Sequence, residues 1–270
     1  MIQALLVLML ATVLPIGNTE QVRVHGVAWH RLPDGRAAMV VRFHVKPGWH
    51  MFWTNPGDSG APPEVKAILP AGWKLGEPIW PRPRILDDDH ETVFVHEGEW
   101  AWLLPIHSDS AGATPNFEVE LQLKWMACQD ACVVGRTSVR VAAPTGDLTP
   151  LPHQMDGGSY PTTLAAGDSA KVVDHVLHLD LADTGHGSAT FLQGVDPGVD
   201  VVGSNPVACT VEQGRITLAN DLRIRANNAR GKPLAIHGLV LLGTKISDPC
   251  IAIRLPISDT NDPVQGQPSH

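Results

Sequence analysis

Residues 117–132 read Phe-Glu-Val-Glu-Leu-Gln-Leu-Lys-Trp-Met-Ala-Cys-Gln-Asp-Ala-Cys. Phe117, Val119, Leu121, Leu123, Trp125 and Ala127 fall at every second position. Glu118, Glu120, Gln122, Lys124 and Met126 fall between them. That period is the signature of a β-strand with one face buried. The strand runs into two cysteines, Cys128 and Cys132. Continued alternation puts Cys128 on the more polar face, with Met126 and Lys124, away from the core that takes Trp125 and Ala127.

The same period recurs outward from this strand. In 38–45, Met39, Val41, Phe43 and Val45 share a face, with Val40, Arg42 and His44 opposite. Further strands are expected at 22–29, 65–69, 92–96, 100–106 and 137–141. Pro-Asp-Gly at 33–35, Asn-Pro-Gly-Asp at 55–58 and His-Glu-Gly at 96–98 supply turns. About seven short strands in one half of the chain suit a β-sandwich. Residues 143–162 are rich in Pro, Gly, Asp and Thr without periodicity, and 146–162 is taken as a linker. Alternation resumes at 176–181, 189–192, 199–202, 208–211, 215–218, 234–242 and 251–255. The expectation is an all-β chain of two immunoglobulin-like β-sandwich domains in tandem, 21–145 and 163–257, with a polar tail at 258–270.

Composition agrees. Of 270 residues, 43% are hydrophobic and 18% charged, and Gly (25) and Pro (23) are abundant, as turn-rich β proteins require. The formal charge is −8 with no basic cluster, which excludes nucleic acid as a partner. Ala-Leu-Leu-Val-Leu-Met-Leu-Ala-Thr-Val-Leu near the N-terminus has the length of a signal-peptide core rather than a membrane span. Residues 1–20 are therefore read as a signal peptide. The mature chain is expected not to span a membrane and to work where disulfides persist.

The Cys128–Cys132 pair admits two readings. It is a small staple on a turn, or it is a reactive thiol–disulfide pair. The loop it would close is very short, and chain-entropy stabilisation grows with loop length, so the spacing leans towards reactivity. No Lys, Arg or His lies between the cysteines, and Asp130 disfavours a thiolate, so weakly activated thiols are expected. Zinc usually wants four ligands and only two stand here. Cys209 and Cys250 are expected as an ordinary inter-strand disulfide or as two buried thiols. Trp49, Phe52, Trp53, Trp73, Trp80, Trp100, Trp102 and Trp125 read chiefly as core, with Trp125 a candidate for a docking surface. His50 and Met51 invite a copper reading, but strand spacing puts them on opposite faces.

Several motifs in order carry a resemblance. They are Pro-Gly-Trp-His-Met-Phe-Trp-Thr-Asn-Pro-Gly-Asp-Ser-Gly (47–60), Leu-Pro-Ala-Gly-Trp (69–73), Ile-Trp-Pro-Arg-Pro (79–83), His-Glu-Gly-Glu (96–99) and Lys-Trp-Met-Ala-Cys-Gln-Asp-Ala-Cys (124–132). Together they resemble the N-terminal periplasmic domain of DsbD-type thiol:disulfide interchange proteins, in the branch of ScsB-like copper-sensitivity suppressors. The resemblance covers about 21–145 and, more loosely, the second domain through His-Gly-Leu-Val-Leu-Leu-Gly (237–243). It implies an immunoglobulin-like domain in the periplasm whose catalytic residues are Cys128 and Cys132. Its partners would be a thioredoxin-like or membrane-embedded thiol reductant and periplasmic client proteins with disulfides. No cofactor or metal is expected. It also implies a cap loop over the pair, drawn from about 81–96, with Phe94, Asp87, Asp88 and Asp89 as candidates. Two departures stand out. Val133, Val134 and Gly135 occupy the place where the family usually has a Pro. The transmembrane and thioredoxin-like domains of the family are not in this sequence. The rival readings are an immunoglobulin-like binding or structural module with inert disulfides, and a copper-tolerance protein.

Overall fold

The computed structural model describes residues 19–270 except 89, 111, 152–153, 156–157, 174–175, 183–184, 195–198, 203–205, 219–221, 227–233, 258–263 and 266–270. Most of the segment read as a signal peptide and most of the polar tail therefore lie outside the described residues. Among those described, no helix is long and apolar enough to cross a membrane.

In chain order the first unit contains β1 (Val22–Arg31), β2 (Ala37–Val45), β3 (His50–Gly57), β4 (Glu64–Ile68), β5 (Trp73–Leu75), β6 (Arg84–Asp87), β7 (Thr92–His96), β8 (Glu99–Ser108), β9 (Val119–Cys128) and β10 (Cys132–Val141). Two antiparallel sheets face each other. One has the order β1-β2-β8-β5, and the other has β10-β9-β3-β7-β6 with β4 also paired to β9. The alternating residues expected from the sequence fill the space between them: Met39, Val41, Phe43 and Val45 from β2 meet Leu121, Leu123, Trp125 and Ala127 from β9. Phe43 stacks on Trp100 with ring centroids 4.6 Å apart and meets Trp125 edge-on at 6.2 Å. Each such fully buried side chain stabilises the fold by roughly 1.5–3 kcal/mol. Gly135 in β10 stands opposite Trp125 in register, and a Cβ there would lie 2.3 Å from the indole. The tryptophan thus has room only because position 135 lacks a side chain.

The second unit is built from β11 (Gln154–Met155), β12 (Gly158–Ser159), β13 (Ser169–Val173), β14 (Val176–Ala182), β15 (Ala189–Gln193), β16 (Val199–Val202), β17 (Val207–Glu212), β18 (Arg215–Leu218), β19 (Leu222–Ala226), β20 (Leu234–Leu242), β21 (Cys250–Ile257) and β22 (Val264–Gln265). Apart from the small β11–β12 pair, these strands form one continuous sheet, β16-β19-β14-β18-β17-β15-β20-β21, extended by β13 and β22. Leu177, Leu179 and Leu181 of β14 share a core with Val240 of β20 and Ile253 of β21. Strands so far apart in the order can meet only if the sheet curls on itself, so this sandwich is one folded sheet. Val264–Gln265, in the stretch expected as a polar tail, pairs with Ser169 and Ala170.

The stretch taken as a linker is packed. Leu151 N donates to Arg31 O (2.9 Å), and the Tyr160 hydroxyl donates to Ala101 O (2.9 Å). Leu151 and Tyr160 cover Val40, Ala101 and Leu103 on the outer face of the first sheet. This is why Val40, on the face opposite the main core, is also buried. The two units then join through Arg82, of the Ile-Trp-Pro-Arg-Pro motif. Its guanidinium, 4% exposed, donates to the carbonyls of Leu242 (2.7 Å), Gly243 (2.8 Å) and Pro249 (3.0 Å). Around it Trp53 and Phe94 pack on Leu192, Leu239, Leu241 and Cys250.

His96 ends β7 inside this core, stacked on Trp100 with centroids 4.4 Å apart. Burial pushes its pKa down to about 3. It is neutral when folded and protonates near 6.5 when unfolded, so the unfolded chain binds the extra proton on acidification. Stability should therefore fall as pH drops from 6.5 towards about 3, by about 1.4 kcal/mol per unit from this group. Urea midpoints at pH 7 and pH 5 would check it. A His96→Phe variant should lose about 2 kcal/mol less than the wild type between those pH values.

Candidate functional site

The cysteines face each other across the tip of the β9–β10 hairpin. Cys132 is the register partner of Cys128, and Val133, Val134 and Gly135 continue the pairing to Ala127, Met126 and Trp125. The regular ladder thus does what a proline would do in holding the backbone after the second cysteine. A three-residue loop, Gln129–Asp130–Ala131, closes the turn with Gln129 N donating to Ala131 O (3.2 Å). The Cα atoms of Cys128 and Cys132 are 4.1 Å apart and the sulfurs are joined. Lys46-Pro-Gly-Trp49 turns the chain beside this tip: Trp49 N donates to Lys46 O (2.9 Å) and Gly48 has φ +84°. Proline followed by a residue of positive φ suits a type II turn.

The two sulfurs have different surroundings. Cys132 is exposed, whereas Cys128 is only 5% exposed. The face assigned to Cys128 is the observed one, with Met126, but it is covered. Phe52 of β3 and Val93 and Val95 of β7 wall the cysteine in, with Leu86 of β6 beside them. The sequence reading treated that face as polar because Lys124 and Met126 lie on it. Only the neighbouring strands supply the apolar wall.

The Asn-Pro-Gly-Asp-Ser-Gly run explains how Phe52 is held. Asn55 Oδ1 accepts from Gly57 N (3.1 Å), while its amide donates to Gln193 O (2.9 Å) in the second unit. Asp58 N donates to Thr92 O (3.0 Å), and Thr92 N donates back to Asp58 Oδ2 (2.8 Å). Gly60 lies flat on the Phe52 ring, where an added Cβ would be 2.3 Å from ring carbons. His50 is the register partner of Cys128 on β3 and meets Phe52 edge-on with centroids 5.2 Å apart. Burial holds His50 below its ordinary pKa, with Glu97 and Glu91 acting in the opposite sense. Met51, on the other face, is fully buried in the core.

The other site residues are distributed differently from expectation. Phe94 is buried between Trp53 and the second unit, on the face of β7 opposite Val93 and Val95, and does not touch the cysteine pair. Trp125 is 1% exposed and belongs to the core, so it presents no docking surface. Asp87 and Asp88 build the β6–β7 turn: Thr92 Oγ1 donates to Asp87 (2.5 Å), and His90 N and Glu91 N donate to Asp88 (2.8 and 2.9 Å). Asp89 lies outside the described residues. Cys209 and Cys250 are free thiols, not a disulfide. Two strands, β15 and β20, separate β17 from β21 in the sheet. That is about 14 Å, twice the reach of a disulfide. Burial pushes the thiol of Cys209 up to about 11 and that of Cys250 up to about 12, which leaves both unreactive. Phe52 was the residue the sequence left in the general aromatic core. Its place two positions after His50, on one face of β3, was the available signal.

Residues 21–144 match the family described as thiol:disulfide interchange protein DsbD, N-terminal. This first unit is a DsbD N-terminal domain. The whole chain is also similar in fold to the N-terminal periplasmic domain of ScsB from Proteus mirabilis, with a TM-score of 0.55 and 13% identity. That likeness covers 94% of this chain and 98% of the ScsB chain, so it takes in both units. No curated protein matches the chain in sequence. A disulfide at a hairpin tip, in a DsbD N-terminal domain, makes this first unit a thiol:disulfide interchange-related domain.

The wall predicts unequal thiols after reduction. In the native reduced protein, iodoacetamide should label Cys132 quickly and Cys128 slowly. Phe52→Ala should speed Cys128 labelling by about tenfold or more, because the wild type must open locally first. Mass spectrometry of the alkylated peptides measures both.

Proposed function

We propose that this chain is a periplasmic thiol–disulfide exchange module. It relays electrons through Cys128 and Cys132 from a thioredoxin-like or membrane-embedded reductant to client proteins. The observation that supports this reading is the asymmetry of the pair, with one sulfur open to a partner and the other walled by Phe52, Val93 and Val95. A structural staple has no need of one open end.

In this scheme the exposed sulfur takes the first attack. A partner thiolate approaches Cys132 Sγ along the sulfur–sulfur axis. The Cys128–Cys132 bond breaks, and its electron pair leaves on Cys128, which takes up a proton. The partner's second thiolate then attacks the mixed disulfide and expels the Cys132 thiolate. The partner ends as a disulfide and this domain as a dithiol, with two electrons moved. Reduction of a client runs the same steps in reverse, with Cys132 attacking and Cys128 resolving. In this scheme His50, the register partner of Cys128 with its pKa lowered by burial, is assigned the proton exchange with the departing sulfur.

The reduction potential of the native pair tests the relay. Equilibration with thiol buffers should give a value between about −270 and −180 mV, the range of thioredoxin and protein disulfide isomerase. A value below about −300 mV would make the bond structural and remove the relay. The direction of attack is read separately. Cys128→Ser, which keeps the exposed thiol, should form a mixed disulfide with oxidised glutathione at least about tenfold faster than Cys132→Ser.

A further inference from the structure

The outer face of the β9–β10 hairpin continues past the disulfide as a strip of unusual character. Successive register pairs on this face are Cys132 with Cys128, Val134 with Met126, Arg136 with Lys124, and Ser138 with Gln122. Val134 is 52% exposed, one of few large apolar side chains so open among the described residues. Beyond it, Arg136 and Lys124 stand directly across from each other. Like charges in that position destabilise an antiparallel pair. Two rows further on, Arg140 faces Glu120, the arrangement that stabilises. The repulsive row is therefore local.

Strand β4 borders the same strip. Glu64 accepts from Lys124 Nζ (2.7 Å), which offsets one cation. Lys66 sits opposite Gln122, and among the described residues neither Lys66 nor Arg136 has an acidic partner. A shallow groove of about 640 Å³ lies over Glu64, Lys66, Gln122, Lys124, Arg136 and Ser138. It is a cationic groove on a chain of charge −8. Arg136 is four residues from Cys132, about 13 Å along the strand.

We propose that this strip binds the segment of the redox partner that carries the partner's reactive cysteine. The geometry points to an extended segment with an apolar residue next to that cysteine, over Val134 and Met126, and acidic side chains beyond, over Arg136 and Lys66. The inference rests on the exchange reading and adds the chemistry by which the partner is selected. The uncompensated cations cost stability in the free protein and become favourable once an acidic segment lies between them. Breaking a local rule where no gain is visible in the free fold marks a binding surface. Charge of this kind acts mainly on encounter and selection.

The test uses a thiol peptide with a central cysteine, leucine at the second position to either side, and glutamate at the fourth and sixth. A control peptide carries lysine in place of glutamate. Each reacts with the oxidised full chain, and rates are divided by that peptide's rate with a small-molecule disulfide. The glutamate peptide should reduce the pair about three- to tenfold faster than the lysine peptide at low salt. The difference should vanish near 1 M salt, where screening acts within about 3 Å. It should reverse in Lys66→Glu/Arg136→Glu, while dithiothreitol reduces that variant and the wild type equally fast. Equal peptide rates, or a faster lysine peptide, would overturn the strip and leave the exchange reading intact. Failure of dithiothreitol and both peptides to reduce the native pair would instead overturn the exchange reading itself.

Discussion

The pleat of one strand separates the core of this protein from its chemistry. Along β9, Trp125 and Ala127 point into the space between two sheets, and Met126 and Cys128 point out of it. The buried side chains make the hairpin rigid, and the adjacent positions use that rigidity to hold a sulfur. Because the period is two, no one-residue slip is tolerated. A shifted register would bury Lys124 and expose Trp125, at a cost well above the stability of a typical domain. The placement of Cys128 and Cys132 opposite each other is thus enforced by packing several residues away, including the close fit of Gly135 under the Trp125 ring.

The outer face of the same sheet then treats the two sulfurs differently. Strands β3, β6 and β7 raise an apolar wall beside Cys128 and stop short of Cys132. The wall depends on a chain of small constraints: Gly60 flat against Phe52, Thr92 bonded through its backbone to both the amide and the carboxylate of Asp58, and Asn55 reaching the second unit. Arg82 completes that tie by donating to carbonyls at the end of β20 and in the turn that follows it. The second unit in this way braces the wall at a distance, and none of its described residues packs on the cysteine pair. Of its own cysteines, Cys250 is buried and Cys209 half-buried, and two strands separate them.

The strip beyond the disulfide follows from the same alternation. Outward residues of β9 and β10 need not satisfy the core, so they are free to carry charge. The facing cations Lys124 and Arg136 are tolerated because the hairpin is held together from its other side. A surface that is locally unfavourable alone and favourable with a complementary partner converts some of the core's stability into selectivity.

Much of this was legible in the sequence. Alternation in 38–45 and 117–127 located the core strands, and the ordered motifs from 47 to 132 located the family. The spacing of Cys128 and Cys132 leaned towards a reactive pair, the reading proposed above. Other features were not legible, because they join residues distant in sequence. Phe94 and Phe52 look alike as strand aromatics, yet one faces the second unit and the other faces Cys128. Cys209 and Cys250 have the separation of a sandwich disulfide, yet two strands lie between them. The segment 146–162 has a linker's composition, yet it packs on Val40 and Ala101. Local periodicity determines which side of a strand a residue occupies, because that depends only on the backbone's own geometry. What stands on the far side of the strand, whether solvent, a wall or another domain, depends on long-range strand order, and only the tertiary structure decides it.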